Sequence, residues 1–148
     1  SAAVGAGRHE KTAGRDGSAL VMNGSLLVAL GAVSGAISVM LGAFGAHALK
    51  ARLSADVLSA FQTAVQYQMM HSLALIAVGL WLLRHPEDML SRYAALAFCF
   101  GILFFSGSLY GLTLGGPRWL GPVTPIGGTL FVAGWLLFAA AAIKTPFP

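Results

Sequence analysis

The chain has 148 residues, of which 57% are hydrophobic and 9% are charged, with nine basic and five acidic side chains. A soluble domain carries roughly one-quarter charged residues, so these few charges cannot cover a surface that faces water. The composition excludes a soluble enzyme, a nucleic-acid-binding protein and a disordered chain, and it predicts an integral membrane protein. The basic residues lie between apolar blocks rather than in one patch, and we expect no nucleic-acid partner.

The first 21 residues differ from the rest in composition. They are rich in Gly and Ala and show no hydrophobic periodicity. Their charged residues are Arg8, Glu10, Lys11, Arg15 and Asp16. We expect residues 1–21 to be a polar, flexible N-terminal tail, followed by a single transmembrane domain over residues 22–148. Met22 is a candidate internal start, which would make the tail an extension.

Stretches with almost no charge predict four membrane spans. They are residues 25–49, 53–83 (with Asp56 as the only charge), 93–117 and 119–143. About 20 apolar residues cross the ~30 Å hydrocarbon core, so each stretch crosses once. Backbone amides in lipid need internal hydrogen bonds and no barrel-type alternation is present, so the spans are helices. The predicted helices are near 25–48, 65–83, 93–113 and 125–143.

The segments between these stretches have the composition of short loops. Pro86 lies in a run of polar and charged residues and ends one helix. Glycines and prolines fill residues 115–122, where Trp119 is placed as an interfacial anchor. Thr124 followed by Pro125 is typical of an N-cap and a first helical residue. Because short loops make neighbouring helices antiparallel, we predict an all-α membrane protein with an antiparallel four-helix bundle.

Apolar residues recur at four-residue spacing before the second span, which is typical of an amphipathic segment over residues 54–66. If this segment continues straight into the span, the helix is about 45 Å long and exceeds the ~30 Å core. If it lies flat in the interface, the span begins near Tyr67. The depths of His47 and His71 then differ by ~6 Å, against ~20 Å in the straight form. We favour the bent geometry, since only that form lets the two histidines act together.

Small residues recur along the first and third spans and predict close helix packing. They are Gly31, Ser34, Gly35, Ser38 and Gly42 in the first span, and Gly107 and Gly111 in the third. Lipid provides no hydrophobic drive for helix association, and small residues let helix backbones approach closely. We favour packing inside the bundle over a homo-oligomer interface.

Uncharged polar residues and two histidines gather in the half of the predicted bundle that lies away from the termini. The set is His47, Gln62, Gln66, Tyr67, Gln68, His71, Ser106, Ser108, Tyr110 and Thr124. Polar side chains at membrane depth are costly and normally face the bundle interior or a wet cavity. We therefore predict a polar pocket that opens toward the membrane face opposite the termini.

Three interpretations of these polar residues stay open. Hydrogen bonds between helices would fix the order of the helices. A small-molecule or quinone site would use His47 or His71, since ionisable groups inside membranes often mark functional sites. Metal or haem ligation is disfavoured, because the two histidines have no carboxylate, cysteine or H-x-x-x-H partner. We expect no metal and no cofactor.

Catalytic patterns are absent from the sequence. Ser106 and Ser108 do not form a G-x-S-x-G turn, and no aspartate lies in a predicted span to orient a histidine. The single cysteine, Cys99, excludes an internal disulfide. We therefore predict a protein that is not an enzyme.

Four sequence stretches follow one another in a fixed order. They are GAFGAHAL at 42–49, FQTAVQYQMMHSLA at 61–74, FSGSLY at 105–110 and PVTPIGG at 122–128. They resemble the signature stretches of the transmembrane protein 256-like family, which is the domain of unknown function 423 in bacteria. The resemblance covers residues 22 to about 143. It implies a small four-helix protein of bacterial inner membranes, with relatives in mitochondria, no established activity and no assigned catalytic residue.

The distribution of Lys and Arg predicts the orientation. Six lie on the side of the termini, at Arg8, Lys11, Arg15, Arg84, Arg92 and Lys144, and three lie opposite, at Lys50, Arg52 and Arg118. The positive-inside rule then places both termini in the cytoplasm, although the two sides are equal when the tail is left out.

The sequence predicts a non-enzymatic accessory, structural or assembly subunit of a membrane complex, with a respiratory complex among the candidates. The expected partners are the lipid bilayer and other membrane protein subunits. The alternative is binding or transport of a small molecule, a quinone or a lipid through the polar pocket. The expected location is the bacterial inner membrane, or the mitochondrial inner membrane in a eukaryote.

Overall fold

The computed structural model describes Ala2 and residues 23–146, and this part of the chain folds into helices joined by short turns. Four helices are long and apolar enough to cross a membrane, which confirms the predicted fold class. They are α1 (Gly24–Leu49), α2 (Ala55–Arg84), α3 (Met89–Thr113) and α4 (Val123–Lys144). A short 3-10 turn, Arg118–Leu120, precedes α4. The predicted tail, residues 1–21, lies outside the described residues except for Ala2.

Side chains cap the first turns of α1 and α2. The side-chain Oδ1 of Asn23 accepts a hydrogen bond from a backbone N–H three residues on, at 2.7 Å, and the Ser54 hydroxyl does the same at 3.4 Å. These caps satisfy amides that have no partner inside the helix. α4 has no such cap and begins at Val123, so Thr124 lies within its first turn instead of preceding it.

Two of the helices contain a π-helical turn. Gly45–Leu49 is the last turn of α1, and Ile102–Ser106 lies near the middle of α3. Such a turn accommodates one more residue than an α-helical turn and is frequent at functional sites. The residues after the turn in α3 therefore face a different direction from the one that a regular helix would give them.

The predicted break before the second span is wrong. α2 is one uninterrupted helix of 30 residues. The apolar side chains of its first turns pack into the bundle rather than into the membrane interface, and both Phe61 and Ala64 are 0% exposed. α1 continues far enough to lie beside them, since a side chain on Gly45 would meet the Phe61 ring at 2.9 Å. This packing keeps the first turns of α2 in line with the rest of the helix.

The bundle consists of two hairpins, α1 with α2 and α3 with α4, joined by contacts of α2 with α3. The core lies mainly between α2, α3 and α4, with Val78 and Phe98 fully buried, and Leu27 of α1 completes it. α1 packs along α2 and makes little direct contact with α3 or α4. α1 is therefore peripheral, and the seam between α1 and α3 is left open.

Glycines bring α1 and α2 into backbone contact. A side chain on Gly24 would collide with the backbone oxygen of Gly79, and one on Gly31 would meet the backbone oxygen of Ser72 at 2.7 Å. The structure thus places the small-residue row of α1 against α2. The two glycines of α3 have different surroundings. A side chain on Gly107 would meet nothing within 4 Å in the described part of the chain, and one on Gly111 would meet the Leu120 side chain. Neither glycine brings two spanning helices together.

The turn between α2 and α3 is held by Asp88. One carboxylate oxygen accepts hydrogen bonds from the Trp81 indole at 2.8 Å and the Ser91 hydroxyl at 2.7 Å. The other accepts from the backbone N–H groups of Leu90 and Ser91, at 3.1 and 3.3 Å. Partial burial alone would raise the pKa of the Asp88 carboxyl, but these hydrogen bonds outweigh it and hold the pKa below its ordinary value.

Replacing Asp88 with alanine is expected to lower the free energy of unfolding by about 1–2 kcal/mol, the usual effect of losing an N-cap. Because the pKa in the folded state is depressed, the contribution of the charge is complete above the ordinary carboxyl pKa of ~4 and is lost as the pH falls further. Thermal unfolding measured between pH 3 and 7 checks this. Asp88→Asn is the matched control, since asparagine also caps helices and should remove the pH dependence of this turn while keeping most of the stability.

Candidate functional site

The predicted polar residues do not form a single pocket. The structure distributes them over two sides of α2 and over the outer surface of the bundle. One group lies between α1, α2 and α3, and a second lies between α2 and α4. Three residues, His47, Gln62 and Gln66, are exposed and belong to neither group.

The first group is a hydrogen-bond network centred on Gln68, which is 5% exposed. The Gln68 amide nitrogen donates to the backbone oxygen and the hydroxyl of Ser34, at 3.2 and 3.3 Å. The Tyr110 hydroxyl donates to the Gln68 amide oxygen at 2.6 Å. The Ser72 hydroxyl lies 2.7 Å from the Ser34 hydroxyl and 2.6 Å from the backbone oxygen of Gln68. This network links α1, α2 and α3.

Two further contacts in the same half of the bundle join helices. The Ser106 hydroxyl, in the π-helical turn of α3, donates to the backbone oxygen of Ala64 in α2 at 2.7 Å. The hydroxyls of Ser108 and Thr124 lie 2.5 Å apart and connect α3 to the first turn of α4. These polar groups therefore serve as links between helices, as the first of the three sequence interpretations requires.

The second group is built around His71, which is 4% exposed. Its Nδ1 lies 2.7 Å from the backbone oxygen of Tyr67, and its Nε2 accepts a hydrogen bond from the Trp135 indole at 3.1 Å. Nδ1 must therefore carry the proton and Nε2 must not, which assigns a neutral imidazole with both nitrogens occupied. The ring stacks on Phe131 with centroids 3.5 Å apart and planes at 8°.

A groove of about 410 Å³ lies beside His71, on the outer side of the contact between α2 and α4. Its walls are largely aromatic and apolar: Tyr67, Met70, His71, Phe105, Gly128, Phe131, Val132 and Trp135. Met70 and Trp135 are 43% and 48% exposed, so the groove opens to the outside of the bundle. It lies near the middle of the spanning helices, where the surroundings are lipid.

His47 and His71 do not share a site. His47 lies in the π-helical turn of α1, next to Gly45, whose neighbour on α2 is Phe61. His71 is ten residues further along α2 than Phe61, which corresponds to about 15 Å of helix. The uninterrupted course of α2 is the physical reason, because the bend that would bring the histidines together is not formed.

Several residues of these groups carry no signal that a single sequence reveals. Ser34 was expected only as a small packing residue, yet it accepts hydrogen bonds from α2. Ser72, Phe131 and Trp135 were not predicted at all. An indole in the middle of a span and a serine four residues after Gln68 are the only hints, and neither indicates which helix lies opposite.

The chemistry available to these groups is limited. No set of three histidine, cysteine or carboxylate side chains that could hold a metal ion comes together within the described residues. The described hydroxyl and amide groups of the Gln68 network donate to or accept from one another. The arrangement stabilises the bundle, and the groove at His71 can accommodate an apolar molecule.

Comparison with known proteins identifies the family. Residues 41–128, from the end of α1 to the start of α4, match the family model described as "Protein of unknown function (DUF423)". The chain belongs to the DUF423 family. The membership predicted from the four sequence stretches is thereby confirmed for the bacterial domain of unknown function 423, and the likeness to transmembrane protein 256 stays a resemblance.

Curated relatives of this DUF423 protein are membrane proteins. A UPF0382 membrane protein of Staphylococcus epidermidis is 44% identical over 108 residues, which are 73% of this chain and 87% of the relative. The UPF0382 inner membrane protein YgdD of Escherichia coli is 38% identical over 111 residues, covering 75% and 84% of the two chains. The UPF0382 membrane protein YwdK of Bacillus subtilis is 39% identical, covering 73% and 88%. No solved structure gives a significant match.

These relatives, together with the four spans, identify an integral inner membrane protein of bacterial type. The matched residues include Gln68, His71 and Tyr110. Ser34 and Trp135, which complete the two groups, lie outside the matched range.

Proposed function

We propose that this DUF423 protein is a non-enzymatic accessory subunit that packs against another membrane protein through the open seam between α1 and α3. The observation that carries the proposal is a cavity of about 210 Å³ in that seam. Its lining is Ile37, Leu41, Gln68, Ile102, Leu103, Ser106, Gly107 and Tyr110. Leu103 is 63% exposed, and a side chain on Gly107 would meet nothing within 4 Å in the described part of the chain.

A seam that contains the uncovered Gly107 and the exposed Leu103 is a surface on which a helix of another protein can pack. Helix association in lipid depends on close van der Waals packing, which small residues permit. Behind the seam, Gln68 and Tyr110 are already bonded to each other, so a partner would meet an apolar surface with no unpaired polar group to satisfy. The inner polar residues thus support α1 and α3, and the outer residues provide the contact.

The alternative prediction, binding or transport through a polar pocket, has less support. The two histidines are far apart, and both nitrogens of His71 are occupied by Tyr67 and Trp135. A quinone would need to displace the indole before it could bond to the imidazole. The seam between α1 and α3 is therefore the stronger basis for a function.

Site-specific photo-crosslinking in native membranes tests the subunit proposal. A photoreactive residue at Leu103 should give one cross-linked product of defined mass, with a partner that co-purifies in mild detergent at a fixed ratio. Leu136 of α4 is the matched control, since it is 67% exposed and lies away from the seam. It should give no such product.

Gly107→Phe provides a second measurement, because Gly107 lines the cavity and a Cβ on it would meet nothing within 4 Å in the described part of the chain. Filling the cavity should greatly reduce the product at Leu103 while the helical content by circular dichroism stays unchanged. Identical products at Leu103 and Leu136, or no product at Leu103, would contradict the proposal.

A further inference from the structure

A second open seam lies between α2 and α4, on the opposite side of α2 from α1. Two cavities follow one another along it. The groove at His71 lies near the middle of α2, and a cavity of about 320 Å³ lies closer to the end of α2. The second cavity is lined by Ala77, Leu80, Trp81, Arg84, His85 and Phe138. Its walls are apolar, and its two basic residues are both at the end of α2.

The aromatic walls of this cavity are held in place. The Trp81 and Phe138 rings meet edge to face with centroids 5.9 Å apart, and the Trp81 indole is bonded to Asp88. The His85 ring packs on Trp81 at 4.5 Å. The cavity is therefore shaped by residues fixed in the fold, and Leu80, which is 54% exposed, forms its open edge.

The positive charge of Arg84 at the cavity mouth favours an anion. Arg84 is exposed at the end of α2. Glu87 and Asp88 line a neighbouring cavity together with Lys144, and His85 lies between that cavity and this one. Asp88 turns its oxygens toward Trp81 and Ser91, so the cavity under Arg84 has basic residues at its mouth and none of its lining residues is acidic.

We propose that the seam between α2 and α4 binds one anionic phospholipid. Its phosphate group lies at Arg84 and His85, and one acyl chain runs along Leu80, Trp81 and Phe138 toward the groove at His71. Arg84 to Met70 spans 14 residues, or about 21 Å of helix, which is somewhat more than one leaflet of the ~30 Å hydrocarbon core. The positive-inside prediction places this end of α2 in the cytoplasmic leaflet, where anionic lipids lie.

The proposal goes beyond the accessory role and is independent of it. The partner would contact the seam between α1 and α3, and the lipid would occupy the seam between α2 and α4. The two seams share no lining residue. Failure of the cross-link at Leu103 would therefore leave the lipid site untouched, and the reverse holds as well.

Native mass spectrometry of protein released from nanodiscs with equal amounts of phosphatidylglycerol and phosphatidylcholine tests the lipid site. The unmodified chain should retain one phosphatidylglycerol. Arg84→Ala should reduce the retained phosphatidylglycerol about tenfold, the effect of losing a charge-assisted hydrogen bond. Arg52→Ala is the matched control, because Arg52 is also exposed but lies at the other end of the bundle, and it should retain the lipid.

Ala77→Phe tests whether the acyl chain lies in the cavity, since it adds bulk at the exposed Ala77 without changing the charge. It should lower the retained phosphatidylglycerol severalfold with unchanged helical content. Equal losses in Arg84→Ala and Arg52→Ala would mean a general surface attraction and would overturn the proposal. Equal retention of the two lipids, or full retention in Ala77→Phe, would overturn it too.

Discussion

Replacing Gly127 with alanine is expected to prevent stable docking of α4 on α3. A methyl group there would collide with the backbone nitrogen of Phe105 and would lie 2.7 Å from its Cα. Backbone atoms cannot rotate away as the end of a side chain can, so one of the two helices must shift. Overpacking of this kind costs about 3 kcal/mol, although alanine itself favours a helix more than glycine does.

The neighbouring glycine is a matched control for this prediction. A side chain on Gly128 would meet the Phe105 ring at 3.7 Å, which is an ordinary van der Waals contact. Gly128→Ala should therefore leave stability unchanged or raise it by up to about 1 kcal/mol through helix propensity. Unfolding in mixed micelles measures both variants, and equal stability of the two would show that α3 and α4 do not approach this closely.

Gln68→Leu is expected to lower the free energy of unfolding by about 2 kcal/mol. The substitution removes three hydrogen bonds between helices, two to Ser34 and one from Tyr110, and such bonds contribute ~0.6 kcal/mol each inside a membrane. It also leaves the Tyr110 hydroxyl, which lies behind the seam between α1 and α3, without this acceptor. Unfolding in mixed micelles, combined with Tyr110→Phe in a double-mutant cycle, isolates the shared bond.

Gln66→Leu is the control for the Gln68 prediction. Gln66 is the same residue type two positions earlier in α2, but it is exposed and lies outside the network. An apolar side chain facing lipid should be neutral or slightly stabilising. If Gln66→Leu is as destabilising as Gln68→Leu, the effect belongs to helix α2 in general and not to its contact with α1 and α3.

The architecture was largely readable from the sequence because charges are excluded from lipid. The stretches with almost no charged residues located all four spans, and the polar runs and glycine–proline segments located the turns. The glycines of α1 indicated a close helix contact, and Gly31 indeed lies against Ser72. These features depend only on where a residue lies along the chain, and a single sequence gives that position directly.

The sites were less predictable because they depend on direction around each helix and on which helix lies opposite. Gln66 and Gln68 looked equivalent in sequence, but they differ by about 200° around α2, and only Gln68 is buried. Trp135 joins His71 across 64 residues of sequence, a pairing that no local pattern indicates. The straight course of α2 likewise follows from the burial of Phe61 between neighbouring helices, which only the assembled bundle reveals.

The π-helical turn of α3 determines what the loss of a single residue from that helix would do. Deleting one residue within 102–106 would let an ordinary α-helix continue, so the span would remain long enough to cross the membrane. The segment that follows would nearly keep its face, because the turn already holds one residue more than an α-helical turn. The same deletion in a regular part of α3 would rotate that segment by about 100° and turn Tyr110 away from Gln68. The π-helical turn is therefore the place in α3 where the chain can lose one residue and still present the same side chains to α2.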